Sequence, residues 1–234
     1  MRVAVLGGTV VEADDGTSVH VPAGLPRALL TLLAADAGRP VPADVLVDQL
    51  WTTPPASALN TLQVHVSRLR RALGADVVAT DGRGYALTLH TDWQHALACL
   101  VDARNQIRAG DLKAALQQLE TAEALWRGRP LRDAPGAGGA EVAGGLGHRL
   151  EVARRDIITT LGDCALQIGA PARALAPVTA ALDRDPVDEQ LSALAIRLLA
   201  GCGRQAEALA LFSRTRRRLV QELGIEPGAL LVAA

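Results

Sequence analysis

Aromatic residues are nearly missing from this chain of 234 residues, making up 2% of it as Trp51, Trp93, Trp126, Tyr85 and Phe212. Single-stranded nucleic acid is held by stacking bases on aromatic rings, so a surface of that kind is excluded. The core must be aliphatic, and Ala, Leu and Val supply most of the 49% hydrophobic content. Lysine is scarcer still, since Lys113 is the sole one among 24 basic residues and the rest are arginine. The 25 acidic residues nearly balance them and leave a formal net charge of −1. A highly basic nucleic-acid condenser and a disordered charged tail are thereby ruled out.

Cysteine is limited to Cys99, Cys164 and Cys202, an odd number, far apart, without CxxC or His-rich spacing. Neither a disulfide framework nor a zinc site is indicated, and buried free thiols are expected. Long apolar runs are absent too. The longest uncharged stretch, Gln49 to Ser67, contains Pro54, Pro55, Asn60, Gln63 and His65, and no segment offers the roughly 20 apolar residues of a membrane helix. The N-terminus meets Glu12, Asp14 and Asp15 too early for a signal-peptide core. A soluble cytoplasmic protein with no membrane partner is expected. No HExxH, GxSxG or Cys-His constellation occurs, and His20, His65, His90, His95 and His148 are scattered. An enzyme is therefore the least favoured class, and no cofactor or metal is called for.

What is present divides near residue 92. Val3–Leu6, Thr9–Glu12 and Val19–Val21 read as strands of a three-stranded N-terminal sheet. Pro26 opens a helix to Ala35, stopped by Gly38 and Pro40. A second helix begins at Pro42-Ala43-Asp44 and runs to Trp51, where Pro54-Pro55 breaks it. Ser57 is placed as the N-cap of a third helix ending at Leu73 and Gly74. Asp76–Thr80 and Tyr85–Leu89 then form a hairpin around Asp81-Gly82-Arg83-Gly84. From Asp92 onward only helical periods remain, interrupted by a Gly-, Ala- and Pro-rich stretch, Arg132–Gly147, read as a mobile loop. Gly169-Ala-Pro-Ala-Arg-Ala-Leu175 recurs as Gly203-Arg-Gln-Ala-Glu-Ala-Leu209 at an offset of 34 residues, the period of the tetratricopeptide helix pair, and Gly110–Leu116 is an out-of-phase third copy. The expected fold is an α+β winged helix-turn-helix over residues 1–92, followed by an all-α tetratricopeptide-like helical domain over residues 93–234.

The third helix holds the chemistry. Leu62, Val66, Leu69 and Leu73 fall on one stripe of its wheel. Asn60, Val64, Ser67, Arg68 and Arg71 lie opposite, with Thr61 and His65 on one shoulder and Gln63 and Arg70 on the other. Between Asp48 and Asp76 there is no carboxylate at all. Such a face suits the DNA major groove, where Arg reads guanine, Asn reads adenine and an exposed Val meets a thymine methyl. Two helices joined by a short turn, a basic third helix and a hairpin tipped by Arg83 follow the winged helix-turn-helix order, with the hairpin over the adjacent minor groove. Arg27 and the backbone N–H groups near Ser57 are candidate phosphate contacts.

Val5-Leu6-Gly7, Arg27–Leu33, Leu46–Trp51, Pro54-Pro55, Thr61–Leu73 and Gly84-Tyr85 resemble the DNA-binding domain of the Streptomyces antibiotic regulatory protein family. Ala124–Gly128 with Pro130-Leu131, and Gly203–Leu209 followed by Glu222–Gly228, resemble that family's bacterial transcriptional activation domain. The resemblance implies binding to direct repeats of double-stranded promoter DNA, as a dimer on that DNA, and recruitment of RNA polymerase holoenzyme to a secondary-metabolite, antibiotic-producing gene cluster. It implies DNA contacts at Thr61, His65, Ser67, Arg68, Arg70 and Arg71, with Arg83 and Tyr85 in the wing. With no GxxxxGK(S/T) phosphate loop, the chain reads as the family's short form. Two rival readings are a helical-repeat regulator that binds proteins with weak or no DNA affinity, and a nucleic-acid contact at Arg214, Arg216, Arg217 and Arg218.

Overall fold

A computed structural model of the chain describes residues 1–82, 84–135 and 145–234. It divides into two compact units, one comprising Met1–Ala98 with Ala124–Glu151, the other Cys99–Glu123 with Val152–Ala234.

The first unit begins with three short strands, β1 (Arg2–Ala4), β2 (Val10–Glu12) and β3 (Ser18–Val19). They pair in one antiparallel sheet, the three-stranded sheet expected, but a fourth strand joins it. After α1 (Leu25–Ala35), β4 (Val41–Pro42), α2 (Ala43–Leu50), α3 (Ala58–Leu73), β5 (Val78–Asp81) and β6 (Gly84–Leu87), the chain returns as β7 (His90–Thr91). There it pairs parallel with β1, Arg2 opposite His90 and Val3 opposite Thr91, giving the order β3-β2-β1-β7. At two residues each, β4 and β7 are too short to show an alternating period, and neither is expected from the sequence.

Helix α1 is buried on nearly every side, with Leu29, Leu30, Leu32 and Leu33 almost wholly enclosed. Each such leucine contributes about 2 kcal/mol of burial. Its Pro26 stands in the first turn, where a missing N–H costs nothing. Helices α1 and α2 both pack on α3. Trp51 is extended and Pro54-Pro55 keep the connection from α2 non-helical. Ser57 precedes α3 as placed, but its side chain makes no capping bond. Its carbonyl instead accepts from the Thr61 N–H (2.9 Å) and hydroxyl (3.1 Å). The wing sheet has the order β4-β6-β5. Gly84 is needed there, because a Cβ would lie 2.4 Å from the Val41 carbonyl oxygen of the adjoining strand.

Residues beyond 123 also belong to this unit. The N–H groups of Arg127 and Leu131 donate to the carbonyls of Leu6 (2.7 Å) and Val5 (2.9 Å). The buried Asp92 carboxylate accepts from the N–H groups of Val5 (2.7 Å) and Leu6 (3.1 Å) and pairs with Arg127 at 3.2 Å. Compactness thus groups the chain differently from the sequence pattern, which changes character at residue 92.

The second unit is helical. Helix α4 (Asp92–Arg108) starts in the first unit and ends here, α5 (Leu112–Ala124) follows, and α6 (Leu146–Gln167) begins in the first unit and continues into this one. Most of the stretch read as a mobile loop, residues 136–144, lies outside the described residues. Helices α7 (Ala172–Arg184), α8 (Glu189–Gly201) and α9 (Gln205–Arg218) pack in succession, α8 against both neighbours. The internal echo has a physical origin: Gly110, Gly169 and Gly203 all hold positive φ (82°, 70° and 76°) just before the next helix, the left-handed stop that glycine tolerates best. Asp188 caps α8 by accepting from the Leu191 N–H (3.0 Å) and is paired with Arg155. A π-helical turn (Leu219–Leu223) and α10 (Ala229–Val232), neither separated in the sequence reading, bring the chain back to α8, where Glu189 accepts the Gly228 N–H at 2.6 Å. Cys99 and Cys164 are buried free thiols as expected, whereas Cys202 is half-buried because it lies just past the end of α8. Among the described residues, no helix is long and apolar enough to cross a membrane.

Candidate nucleic-acid interface

Helix α3 presents one polar, acid-free side. Asn60, Gln63, Val64, Ser67, Arg68 and Arg71 are exposed, while Leu62, Val66, Leu69 and Leu73 face the core. Among the described residues neither Arg68 nor Arg71 makes an ion pair, so both guanidinium groups are available to phosphates or base edges. Between and beside them lies a 240 Å³ notch walled by Pro22, Pro26, Leu69 and Ala72. Thr61 is half-buried, and its hydroxyl is held by the Ser57 carbonyl.

Three expected contacts require correction. His65, placed on a polar shoulder of the wheel, is 7% exposed. Because α1 and α2 both press on α3, its buried face is wider than the stripe of Leu62, Val66, Leu69 and Leu73 and takes in the next position around. Its Nδ1 is buried and has no hydrogen-bond partner among the described residues. Arg70 is not free for DNA either: its Nε and Nη2 donate to the Val78 carbonyl (2.9 and 2.7 Å) and Nη2 to the Thr80 hydroxyl (2.7 Å). It ties β5 of the hairpin to α3. Arg27 donates to the Val21 carbonyl at 2.7 Å and stands 3.9 Å from Asp133, so it is occupied within the fold.

In the wing, Tyr85 is half-buried on β6, opposite Thr80 on one side and Val41 on the other. Arg83 lies outside the described residues. Sequence reasoning missed Leu59, which is 55% exposed although it falls on the apolar side of the wheel. Its neighbour Ala58 and Leu62 one turn on are buried, so the buried stripe of α3 stops just short of Leu59. On α9, Arg216 is paired with Glu226 at 2.9 Å, which neutralises part of the rival arginine cluster.

Burial, and after it the Arg68 cation, hold the His65 imidazole below its ordinary value, about 6.5. The unfolded chain binds a proton there that the folded chain resists, so stability is full above about pH 6.5 and declines as pH falls below it. The melting temperature at about pH 5.5 should therefore be lower than at about pH 7.5, and a His65→Phe variant should show a smaller drop. An equal drop in both proteins would place the acid sensitivity elsewhere.

Residues 25–87 match the family described as transcriptional regulatory protein, C terminal, and residues 91–234 match the bacterial transcriptional activator domain. The chain is 37% identical to the regulatory protein DnrI of Streptomyces peucetius, over 99% of this chain and 89% of that one. It is 36% identical to the regulatory protein AfsR of Streptomyces griseus, where it spans 23% of the longer protein. Among solved structures, Mycobacterium tuberculosis EmbR in complex with a low affinity phosphopeptide superposes with a TM-score of 0.83 at 28% identity, over 99% of this chain and 63% of that one.

Proposed function

The chain belongs to the Streptomyces antibiotic regulatory protein family of transcriptional regulators, and from that premise we propose that it binds direct repeats in a promoter and recruits RNA polymerase holoenzyme to an antibiotic gene cluster. The observation that carries this reading is the side of α3 formed by Asn60, Val64, Ser67, Arg68 and Arg71, exposed, free of acids and set beside a hairpin. In a winged helix that side enters the major groove while the hairpin reaches the neighbouring minor groove. Arg68 and Arg71 supply guanine or phosphate contacts, Asn60 and Ser67 supply hydrogen bonds, and Arg83 and Tyr85 belong to the wing. Thr61 sits at the edge of this surface. His65 and Arg70 act behind it, the first in the core and the second as the clamp on β5.

The division into a DNA-binding module, residues 1–92, and an activation module, residues 93–234, is retained as a functional one. Activation is assigned to the second module because its sequence matches the activator domain. Two copies side by side on a tandem repeat, acting on the nucleoid in the cytoplasm, complete the proposal.

Footprinting on DNA upstream of neighbouring genes, joined to transcription in vitro with polymerase holoenzyme, tests it. The expected result is protection of tandem repeats, a log–log salt slope of about −0.9 per phosphate neutralised, and transcription that depends on the added protein. Activation without any protected repeat would favour the protein-binding alternative.

A further inference from the structure

We infer that Val64 reads the C5-methyl group of an operator thymine, in a portion of α3 suited to A·T base pairs. The inference rests on the DNA-binding reading above and deepens it. Val64 is 49% exposed, on a face whose other members are polar or cationic. Burying it against DNA gains what its exposure forgoes, and in the major groove the apolar feature is the thymine methyl. The residues around it point to the same base pair. An A·T pair shows adenine N7 and N6 beside that methyl, a pattern matched by a side-chain amide. Asn60 lies one turn before Val64 on the same face, and it is an exposed amide. Arg68, one turn after Val64, suits guanine instead. Four residues advance about 6 Å along the helix, close to two base-pair steps of about 3.4 Å. The A·T contact therefore belongs to the N-terminal half of α3, with a G·C contact toward its C-terminal half.

The test uses the full chain and duplex sites selected from a random library, with each thymine replaced in turn by deoxyuridine, which removes the methyl and nothing else. One or two replacements should weaken wild-type binding about three- to fivefold, the worth of one buried methyl. The same replacements should cost nothing further in Val64→Ala, which should bind the thymine site about three- to fivefold more weakly than wild type. Val64 is exposed, so the variant should keep its melting temperature. If no deoxyuridine position weakens wild-type binding, or if the penalty is as large in Val64→Ala, the assignment of Val64 is overturned while DNA binding stands. Failure to select any site would overturn the DNA-binding reading itself, and this inference with it.

Discussion

Replacing Asp92 by alanine should lower the melting temperature of the full chain by roughly 5–15 °C, equivalent to about 2–5 kcal/mol. The carboxylate accepts two backbone N–H groups, from Val5 and Leu6, whose residues are completely buried, and it also pairs with Arg127. Alanine leaves both amide donors without a partner in a place water cannot reach, and each such loss costs about 1–3 kcal/mol. Asp92→Asn keeps an acceptor oxygen and the side-chain shape, so it should lose less. The same geometry decides how the DNA-binding portion can be isolated. A fragment ending at residue 98 lacks the Arg127 and Leu131 N–H groups that complete the backbone pairing of Val5 and Leu6, and it lacks the rest of 124–151. Residues 1–98 should melt without a cooperative transition, whereas 1–151 should melt cooperatively. Equal melting of the two fragments would mean that the segment after residue 123 is dispensable to this unit.

The second large effect concerns DNA. Arg68→Ala combined with Arg71→Ala should weaken binding to a protected repeat at least about thirtyfold, since each base-edge contact is worth about 1–3 kcal/mol. The salt slope should shrink with it if the arginines contact phosphate instead. Arg216→Ala with Arg217→Ala should leave the affinity near wild type. The reverse pattern would move the nucleic-acid site to α9. Arg70→Met separates two roles on one helix: its guanidinium holds the Val78 carbonyl and Thr80 hydroxyl, so the variant should lose protection at the wing's minor-groove flank while retaining it under α3. A uniform loss of both would identify Arg70 as a direct contact.

Much of this molecule is visible in its residues. The apolar period of Leu62, Val66, Leu69 and Leu73 places α3 within the chain to the residue at its C-terminal end, and Pro54-Pro55 marks the break before it. The glycines at 110, 169 and 203 expose the helical repeat because a left-handed stop demands them. Asn60, Val64, Ser67, Arg68 and Arg71 stand exposed where the wheel puts them. His65 and Arg70 could not be assigned that way. A wheel gives angles about one axis, but two helices packing on α3 set how much of the circle is buried, and the strand beside it decides whether an arginine has a nearer partner than DNA.

By itself, then, the sequence determined the order of the main helices and of the longer strands, the separation of acids from the α3 arginines and the family to which the chain belongs. All three are properties of neighbours along the chain, where periodicity, capping and local charge act within a few residues. Only the tertiary structure decided that β7 returns to β1, that Asp92 holds the backbone of Val5 and Leu6, and that the 127–132 segment joins the first unit. Those contacts link residues scores of positions apart, and each requires buried backbone groups to find partners that no local pattern specifies.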